Sequence, residues 1–242
     1  MASLKKREFL AGARDTVPLI VGALPFGIIF GTLAVKNGLS LGQTMALSLV
    51  VFAGSAQFIA LGLFAAGAAP GVVLLTTFVV NLRHLLYSAT LAPGVRGLPG
   101  PLKALMAFLL TDETFAVAAP RYGDGGDPDT RHYYYLGSAL AMYGNWQAAS
   151  LAGALFGNLI PGAAQWGLDF AMPVTFIGML VPYLRNPSML TAAVAAGAAA
   201  LAAQGLPHKL GLVAAAAVGV AAGFAVKLFC AYRRGVREGG AP

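Results

Sequence analysis

Between Thr16 and Val35 the chain runs twenty residues without a charged side chain, and between Asn37 and Leu82 it runs forty-six more. A helix rises about 1.5 Å per residue and the hydrocarbon core of a bilayer is about 30 Å thick, so about 20 apolar residues suffice to cross it. Charge-free stretches of this length exclude an ordinary soluble core. Charged residues make up 10% of the chain and mean hydropathy is +0.73; a soluble domain carries about 25% charged residues. The predicted class is all-α, a polytopic integral membrane helical bundle in a lipid bilayer.

Apolar length places spans at about 16–36, 41–68, 70–92, 101–120, 132–160, 168–184, 188–205 and 208–230. The breaks carry turn chemistry: Lys36-Asn37-Gly38, Ala69-Pro70-Gly71, Pro93 to Pro101, Arg121 to Arg131, Ile160-Pro161-Gly162, Arg185-Asn186-Pro187 and Gly205-Leu206-Pro207. The spans at 101–120 and 168–184 are the least apolar, which leaves seven as the alternative to eight. The chain reads as a single membrane domain, 1–242: a cytoplasmic N-terminus (1–15), a three-helix unit (16–92), a second (101–184), a C-terminal pair (188–230) and a cytoplasmic tail (231–242). The basic N-terminus reads as part of a retained first helix, since no small-residue cleavage site follows it.

Eight spans with the N-terminus inside put eleven Lys and Arg on the cytoplasmic side and four outside, Lys36, Arg96, Lys103 and Lys209. That bias follows the excess of Lys and Arg in cytoplasmic loops and predicts both termini inside. Because the +7 charge sits at chain ends and short loops, it is no nucleic-acid footprint. A single Cys230 excludes an internal disulfide and a Cys-rich metal centre. His132 and His208 have no ligand spacing around them, so neither a metal nor another cofactor is expected.

Gly54-Ser55-Ala56-Gln57 resembles Gly144-Asn145-Trp146-Gln147 at an offset of 90, with Ser48 on Ser138 and Leu61 on Leu151. The pattern suggests an inverted repeat of three helices each, a transporter plan that puts the binding site at the repeat interface.

Polar residues recur near mid-span. Pro25-Phe26-Gly27 lies in the first span, Gly54, Ser55 and Gln57 in the second, and Asn81, Arg83 and His84 in the third. Asp112 and Glu113 lie in the fourth, and Asn145, Trp146 and Gln147 in the fifth. Ionisable groups at this depth face a bundle interior or a cavity and mark substrate or proton pathways. On a wheel of the third span, Leu74, Leu75, Phe78, Val79, Leu82, Leu85 and Leu86 share one half. Asn81, Arg83, His84, Tyr87 and Ser88 share the other.

Three roles are open for Arg83: an ion pair with Asp112 or Glu113, a substrate carboxylate, or a lipid or subunit contact. Asp112 and Glu113 point about 100° apart on a continuous helix, so only one can face a given site. A break at Thr111-Asp112-Glu113-Thr114 changes this, because Thr and Asp are good N-caps and a half-helix end points its dipole at a ligand. His84 is open between a proton relay and a packing residue. Gln57, Asn145 and Gln147 are open between a substrate and neighbouring helices. Pro25 frees a helix carbonyl and is read as a kink or as loosened backbone at a site.

Several stretches together resemble the AzlC-type branched-chain amino acid exporter family, the large subunit of a two-component permease of the azaleucine-resistance type. They are VPLIVGALPFGIIFGTLA at 17–34, FAGSAQFIAL at 52–61, NLRHLLYSATLAP at 81–93, LLTDETFAV at 109–117 and YGNWQ…GLDFAMPVTFIGMLVP across 143–182. The resemblance implies export of leucine, isoleucine or valine, and of methionine in some members, across a prokaryotic cytoplasmic (inner) membrane. It also implies a small AzlD-type membrane subunit of about four helices as partner. An ion gradient, protons in the first instance, is the implied energy source, as no phosphate-binding loop is present.

These readings converge on a secondary transporter and not an enzyme. Its substrate site comprises Pro25, Phe26, Gly27, Gly54, Ser55, Gln57, Asn81, Arg83, His84, Asn145, Trp146 and Gln147; its proton-coupling groups are Asp112, Glu113 and His84. The alternatives are a passive channel or carrier for another small solute, and a structural membrane subunit.

Overall fold

The computed structural model describes residues 2–123, 127–157, 177, 181, 184, 186–206 and 210–237. The described residues are helical or irregular, with no strand among them. The helices are α1 (Ala2–Lys36), α2 (Leu41–Val50), α3 (Gly54–Ala65), α4 (Pro70–Asn81), α5 (Arg83–Val95), α6 (Gly100–Phe108), α7 (Asp112–Gly123), α8 (Arg131–Phe156), α9 (Pro187–Ala202) and α10 (Leu210–Arg237). Two are long and apolar enough to cross a membrane, within Ser3–Lys36 and Ala214–Arg233, and α4 with α5 makes a third if the bent pair is one span. The expected span at 168–184 lies almost wholly outside the described residues.

Helices α1 and α8 form the spine. They run parallel and in backbone contact, because glycines on each helix lie against the other helix towards both ends of the seam. A Cβ on Gly12 would lie 1.9 Å from the Tyr134 carbonyl oxygen, one on Gly31 2.0 Å from that of Ser150, and one on Gly153 2.0 Å from that of Ile28. Small residues serve this purpose where lipid supplies no hydrophobic drive for helix association. Hydroxyls stitch the seam: Thr16 Oγ1 donates to Ser138 Oγ at 2.7 Å or to the Gly12 carbonyl at 2.8 Å, and Thr32 Oγ1 reaches the carbonyls of Ile28 (2.8 Å) and Gly153 (3.2 Å). Pro18 and Pro25 lie inside α1, which continues through both. Pro25 therefore does not end the helix, and its missing N–H leaves one carbonyl of the preceding turn without its helical donor.

The turn chemistry reads out locally. Gly38 (φ +88°) and Gly67 (φ +67°) end α1 and α3 in the left-handed conformation that glycine adopts without penalty. In each case the following amide bonds back five residues, Leu39 to Ala34 and Ala68 to Leu63. Ser40 and Gln43 close a capping box on α2, and Pro70 opens α4 at a position where its missing N–H costs nothing.

Stretches expected as continuous spans are broken. α4 and α5 meet at Leu82 with a 40° bend, produced by a tight turn in which the Leu82 amide bonds to Val79 and that of Leu85 to Leu82. α6 and α7 are separated by Leu109–Thr111 and form a hairpin. α6 starts just after α5 ends, and the last turn of α7 returns there, with the Tyr122 ring against Gly94. Arg131, opening α8, bonds the Gly94 carbonyl at 2.7 Å. Four helix ends thus gather at the N-terminal end of the spine, where Arg121 also meets Glu8 at 3.6 Å.

α2 and α3 repeat this plan from the opposite end. α2 starts just beyond the C-terminus of α1. α3 runs back to the start of α4, with Ile59, Gly62 and Leu63 lining a common cleft with Val72 and Thr76. Since α4 and α5 bend by only 40°, the start of α4 lies at the end opposite Gly94. The stretches 41–68 and 101–120 therefore return to the end they left, contrary to the expectation that each crosses. The 90-residue offset is not mirrored either: residues 54–57 open a helix after a break, whereas 144–147 lie inside unbroken α8. α9 and α10 form an antiparallel pair at the periphery, Gly223 packing on Ala192 and Gly211 on Ala203.

Candidate functional site

Three helices begin at one depth in the interior: α3 at Gly54, α5 at Arg83 and α7 at Asp112. Each start follows a break, so each turns the positive end of its dipole into the interior. Arg83 and Asp112 are the first residues of their helices, and Ser55 is the second of its own. Arg83 Nη2 lies 3.0 Å from Asp112 Oδ2 and donates to Ser55 Oγ at 2.6 Å. The Tyr87 hydroxyl donates to Asp112 Oδ1 at 2.6 Å. A carboxylate at a helix start is favoured by the dipole and an arginine there is not, so Asp112 offsets an otherwise adverse charge.

The local chemistry explains the start of α7. Thr111 Oγ1 accepts the Thr114 amide at 3.3 Å, a side-chain cap on an otherwise orphan donor. The expected break at Thr111 is present, and it turns Asp112 toward Arg83. Glu113 is half-buried at the next position. The Tyr87 ring stacks on Phe115 with centroids 4.4 Å apart, holding α5 beside α7. His84 Nδ1 is 3.1 Å from the Asn81 carbonyl across the bend, and its ring meets Tyr87 edge-on at 5.8 Å. Asn81 keeps its Oδ1 buried without a hydrogen-bond partner among the described residues.

The tip of the α2–α3 hairpin is tied to α8. Gln57, fully buried, donates to the carbonyls of Val51 (2.5 Å) and Leu47 (3.4 Å) and accepts from Trp146 Nε1 at 3.1 Å. Gln147 donates to the Ser48 carbonyl at 3.2 Å, and the Tyr143 hydroxyl to that of Leu49 at 3.1 Å. The last carbonyls of α2, which no helix satisfies, are thus capped by side chains. Gly54 sits under the Trp146 ring, where a Cβ would come within 2.9 Å. Phe26, Phe30, Phe58 and Trp146 pack as an aromatic cluster behind it.

The structure therefore divides the expected site. Ser55, Arg83 and Asp112 meet directly, with Asn81, His84 and Glu113 adjacent along the same helices. Gln57, Trp146 and Gln147 hold the hairpin tip, while Phe26 and Gly27 pack within the spine and its aromatic cluster. Asn145 leaves its Nδ2 buried without a partner among the described residues. Tyr87 belongs to the ion-pair site itself, although sequence reading had placed it only on the polar face of its helix. Its i, i+4 spacing from Arg83 was the available signal.

A further feature adjoins the site. A cavity of about 190 Å³ lies between α5 and α6, lined by Ser88, Leu91, Ala92, Met106, Leu110 and Tyr135 among others. It runs from the N-terminal end of the spine to the tip of the α6–α7 hairpin, two residues from Asp112. No group of three or more His, Cys, Asp or Glu side chains that could hold a metal occurs among the described residues.

Apolar helices around an inward-facing cluster of charged and polar groups define an integral membrane protein with a polar site at helix breaks. The comparisons place it more narrowly. The AzlC protein family matches residues 18–160, and the chain belongs to that family. It is 29% identical over 197 residues to the inner membrane protein YgaZ of Escherichia coli, covering 79% of this chain and 80% of that one. It is 29% identical over 170 residues to the branched-chain amino acid transport protein AzlC of Bacillus subtilis, 69% of this chain and 64% of that one. An uncharacterized membrane protein of Archaeoglobus fulgidus is 31% identical over 223 residues, 90% of this chain and 96% of that one. No solved structure matches the chain.

Proposed function

We propose that this chain is the large subunit of a proton-coupled secondary exporter of branched-chain amino acids, working with a small AzlD-type subunit in a prokaryotic cytoplasmic membrane. The observation that carries the reading is Arg83, held at the meeting of three half-helix starts between Ser55 and Asp112. A planar guanidinium suits a substrate carboxylate, and a carboxyl beside it suits a coupling proton. The name of the Bacillus subtilis relative supports the substrate class. Arg83, Ser55, Asn81 and His84 form the substrate side of the site, and Asp112, with Glu113 beside it, the coupling side.

The fold also revises the membrane topology. In this reading α1, α4–α5, α8, the span expected from sequence at 168–184, α9 and α10 cross the bilayer, six crossings that keep both termini inside, and α2–α3 and α6–α7 are re-entrant hairpins that enter from opposite faces. Their tips meet at the Leu82 bend. Irregular backbone at membrane depth is tolerated when protein buries it, as here, where side chains cap the broken ends. Charge supports the arrangement. Among the described residues it puts Lys5, Lys6, Arg7, Arg14, Arg96, Lys103, Arg121, Arg131, Lys227, Arg233, Arg234 and Arg237 on the cytoplasmic side and only Lys36 outside. Moving the turn between α5 and α6 inside removes two of the four exceptions to the positive-inside rule that the eight-span count left.

The deciding experiment measures leucine and valine efflux from cells loaded with dipeptides of these residues, with chain and small subunit expressed together and apart. Faster efflux that collapses with the proton gradient is expected. Unchanged efflux with both subunits in the membrane overturns the proposal.

A further inference from the structure

We infer that the Arg83–Asp112 ion pair is a closed receptor for an amino-acid zwitterion, and that substrate and proton compete for Asp112. The inference rests on the reading of the chain as an amino-acid carrier and adds the coupling rule.

The two charges are complementary to the two ends of an α-amino acid. Arg83 with Ser55 offers a cation and a hydroxyl to a carboxylate; Asp112 with Tyr87 offers an anion and a phenol to an ammonium. In the closed pair each charge stands in for the ligand group that its partner takes up. A zwitterion that enters between them replaces one opposite-charge contact by two and leaves no charge unmatched. A bare carboxylate or a bare amine satisfies only one of the two and strands the other, which is costly where water is scarce. The cavity between α5 and α6 is lined by Leu110, two residues before Asp112, and by Ser88, next to Tyr87; its surface is mostly apolar, with Ser88, Lys103 and Tyr135 as the polar side chains. At about 190 Å³ it is smaller than the about 300–1,000 Å³ of drug-sized pockets and suits a short branched side chain.

The sign of coupling follows from which group the substrate holds. If the substrate carboxylate merely displaced Asp112 from Arg83, the released carboxyl would take up a proton, and substrate and proton would travel together. A zwitterion whose ammonium sits on ionised Asp112 behaves in the opposite way: protonation of Asp112 removes the ammonium's partner and expels the substrate. A carrier that holds either a proton or an amino acid exchanges one for the other. That is the coupling an exporter needs when the proton gradient points inward. The charged and titratable groups facing Asp112 are Arg83, His84 and Tyr87 from α5 and Glu113 on its own helix.

The test is leucine binding to the purified full chain in lipid nanodiscs, with and without its small subunit, across pH 5 to 8. Competition by 4-methylpentanoate, which lacks the amino group, and by 3-methylbutylamine, which lacks the carboxyl, is measured alongside. Leucine affinity is expected to weaken on acidification, approaching tenfold per pH unit in the limit of one competing proton. Both analogues are expected to bind at least tenfold more weakly than leucine. In Asp112→Glu the acid weakening persists at a shifted midpoint, and in Asp112→Asn it disappears. Affinity that rises on acidification, or analogues that match leucine, overturns the zwitterion receptor while leaving the amino-acid carrier standing. Acid weakening that persists in Asp112→Asn overturns the role of Asp112. Absence of leucine binding at every pH, with or without the small subunit, overturns the carrier reading itself.

Discussion

Arg83 and Asp112 are each the first residue of a helix that starts at a break, and their side chains meet at 3.0 Å. They come from different helices, one after a bend and one after a hairpin tip, so the pair joins two elements that are not consecutive in the chain. The Tyr87 hydroxyl on Asp112 and the Tyr87–Phe115 stack make the second and third ties between α5 and α7. A ligand that enters at Arg83 therefore acts on the position of the α6–α7 hairpin.

Arg83→Lys keeps the charge but loses the planar guanidinium that suits a substrate carboxylate and whose Nη2 contacts Asp112 and Ser55. Efflux is expected to fall at least tenfold in Arg83→Lys and to vanish in Arg83→Ala, with normal membrane levels of both proteins on blots. Full efflux in Arg83→Ala removes the site from the transport path.

The hairpin topology is open to labelling. In a Cys230→Ala background, Arg96→Cys should react with an impermeant maleimide only from the cytoplasmic face, and Ser40→Cys only from outside. The eight-span arrangement places both positions outside, so labelling of intact cells separates the two. Reaction of Arg96→Cys from outside restores the eight-span count.

The glycine seam sets how closely the spine packs. Gly153→Leu and Gly31→Leu drive side chains into the backbone of the facing helix and are expected to lower the melting temperature or abolish folding. Overpacking costs about 1–3 kcal/mol, occasionally more, where neighbours cannot yield. Gly197→Ala, with nothing within 4 Å of its added carbon, serves as the control and should fold as the native chain does. Equal thermal stability of all three variants would show that the two helices are not in backbone contact.

Much of this fold was legible in the chain, and the illegible part has a physical cause. The wheel of the third span holds in part: Leu74, Phe78 and Leu85 are exposed and Thr76 is buried, but Val79 on the apolar half is buried and Ser88 on the polar half is exposed. A break at Thr111 is open from residue type, since Thr and Asp cap helices, although apolar length makes 101–120 one continuous span. The break before Gly54 is not, because Val-Val-Phe-Ala is apolar and could continue a span. A hairpin and a crossing of the same length have the same composition. What separates them is the company of tertiary partners, Gln57, Tyr143 and Gln147, that cap the broken end. Those partners also explain why Gln57 and Trp146 looked like substrate ligands: a polar group at mid-depth has the same sequence signature whether it serves a ligand or a backbone carbonyl.

Gln57 offers the sharpest separation of those two roles. Its amide satisfies two carbonyls at the end of α2 and the Trp146 indole, with no part of the residue exposed. Gln57→Leu strands the buried Trp146 indole N–H, at a cost of about 1–3 kcal/mol, and takes the side-chain donor from the Val51 and Leu47 carbonyls, which keep only the backbone amides of Ala53 and Val51. The expected outcome is a clear drop in melting temperature with leucine affinity, measured on the folded fraction at low temperature, within about twofold of native. Gln57→Glu keeps the acceptor for Trp146 but loses the donor to Val51, and should be destabilised as well. A Gln57→Leu protein that melts like the native one yet binds leucine tenfold more weakly would return Gln57 to the substrate site.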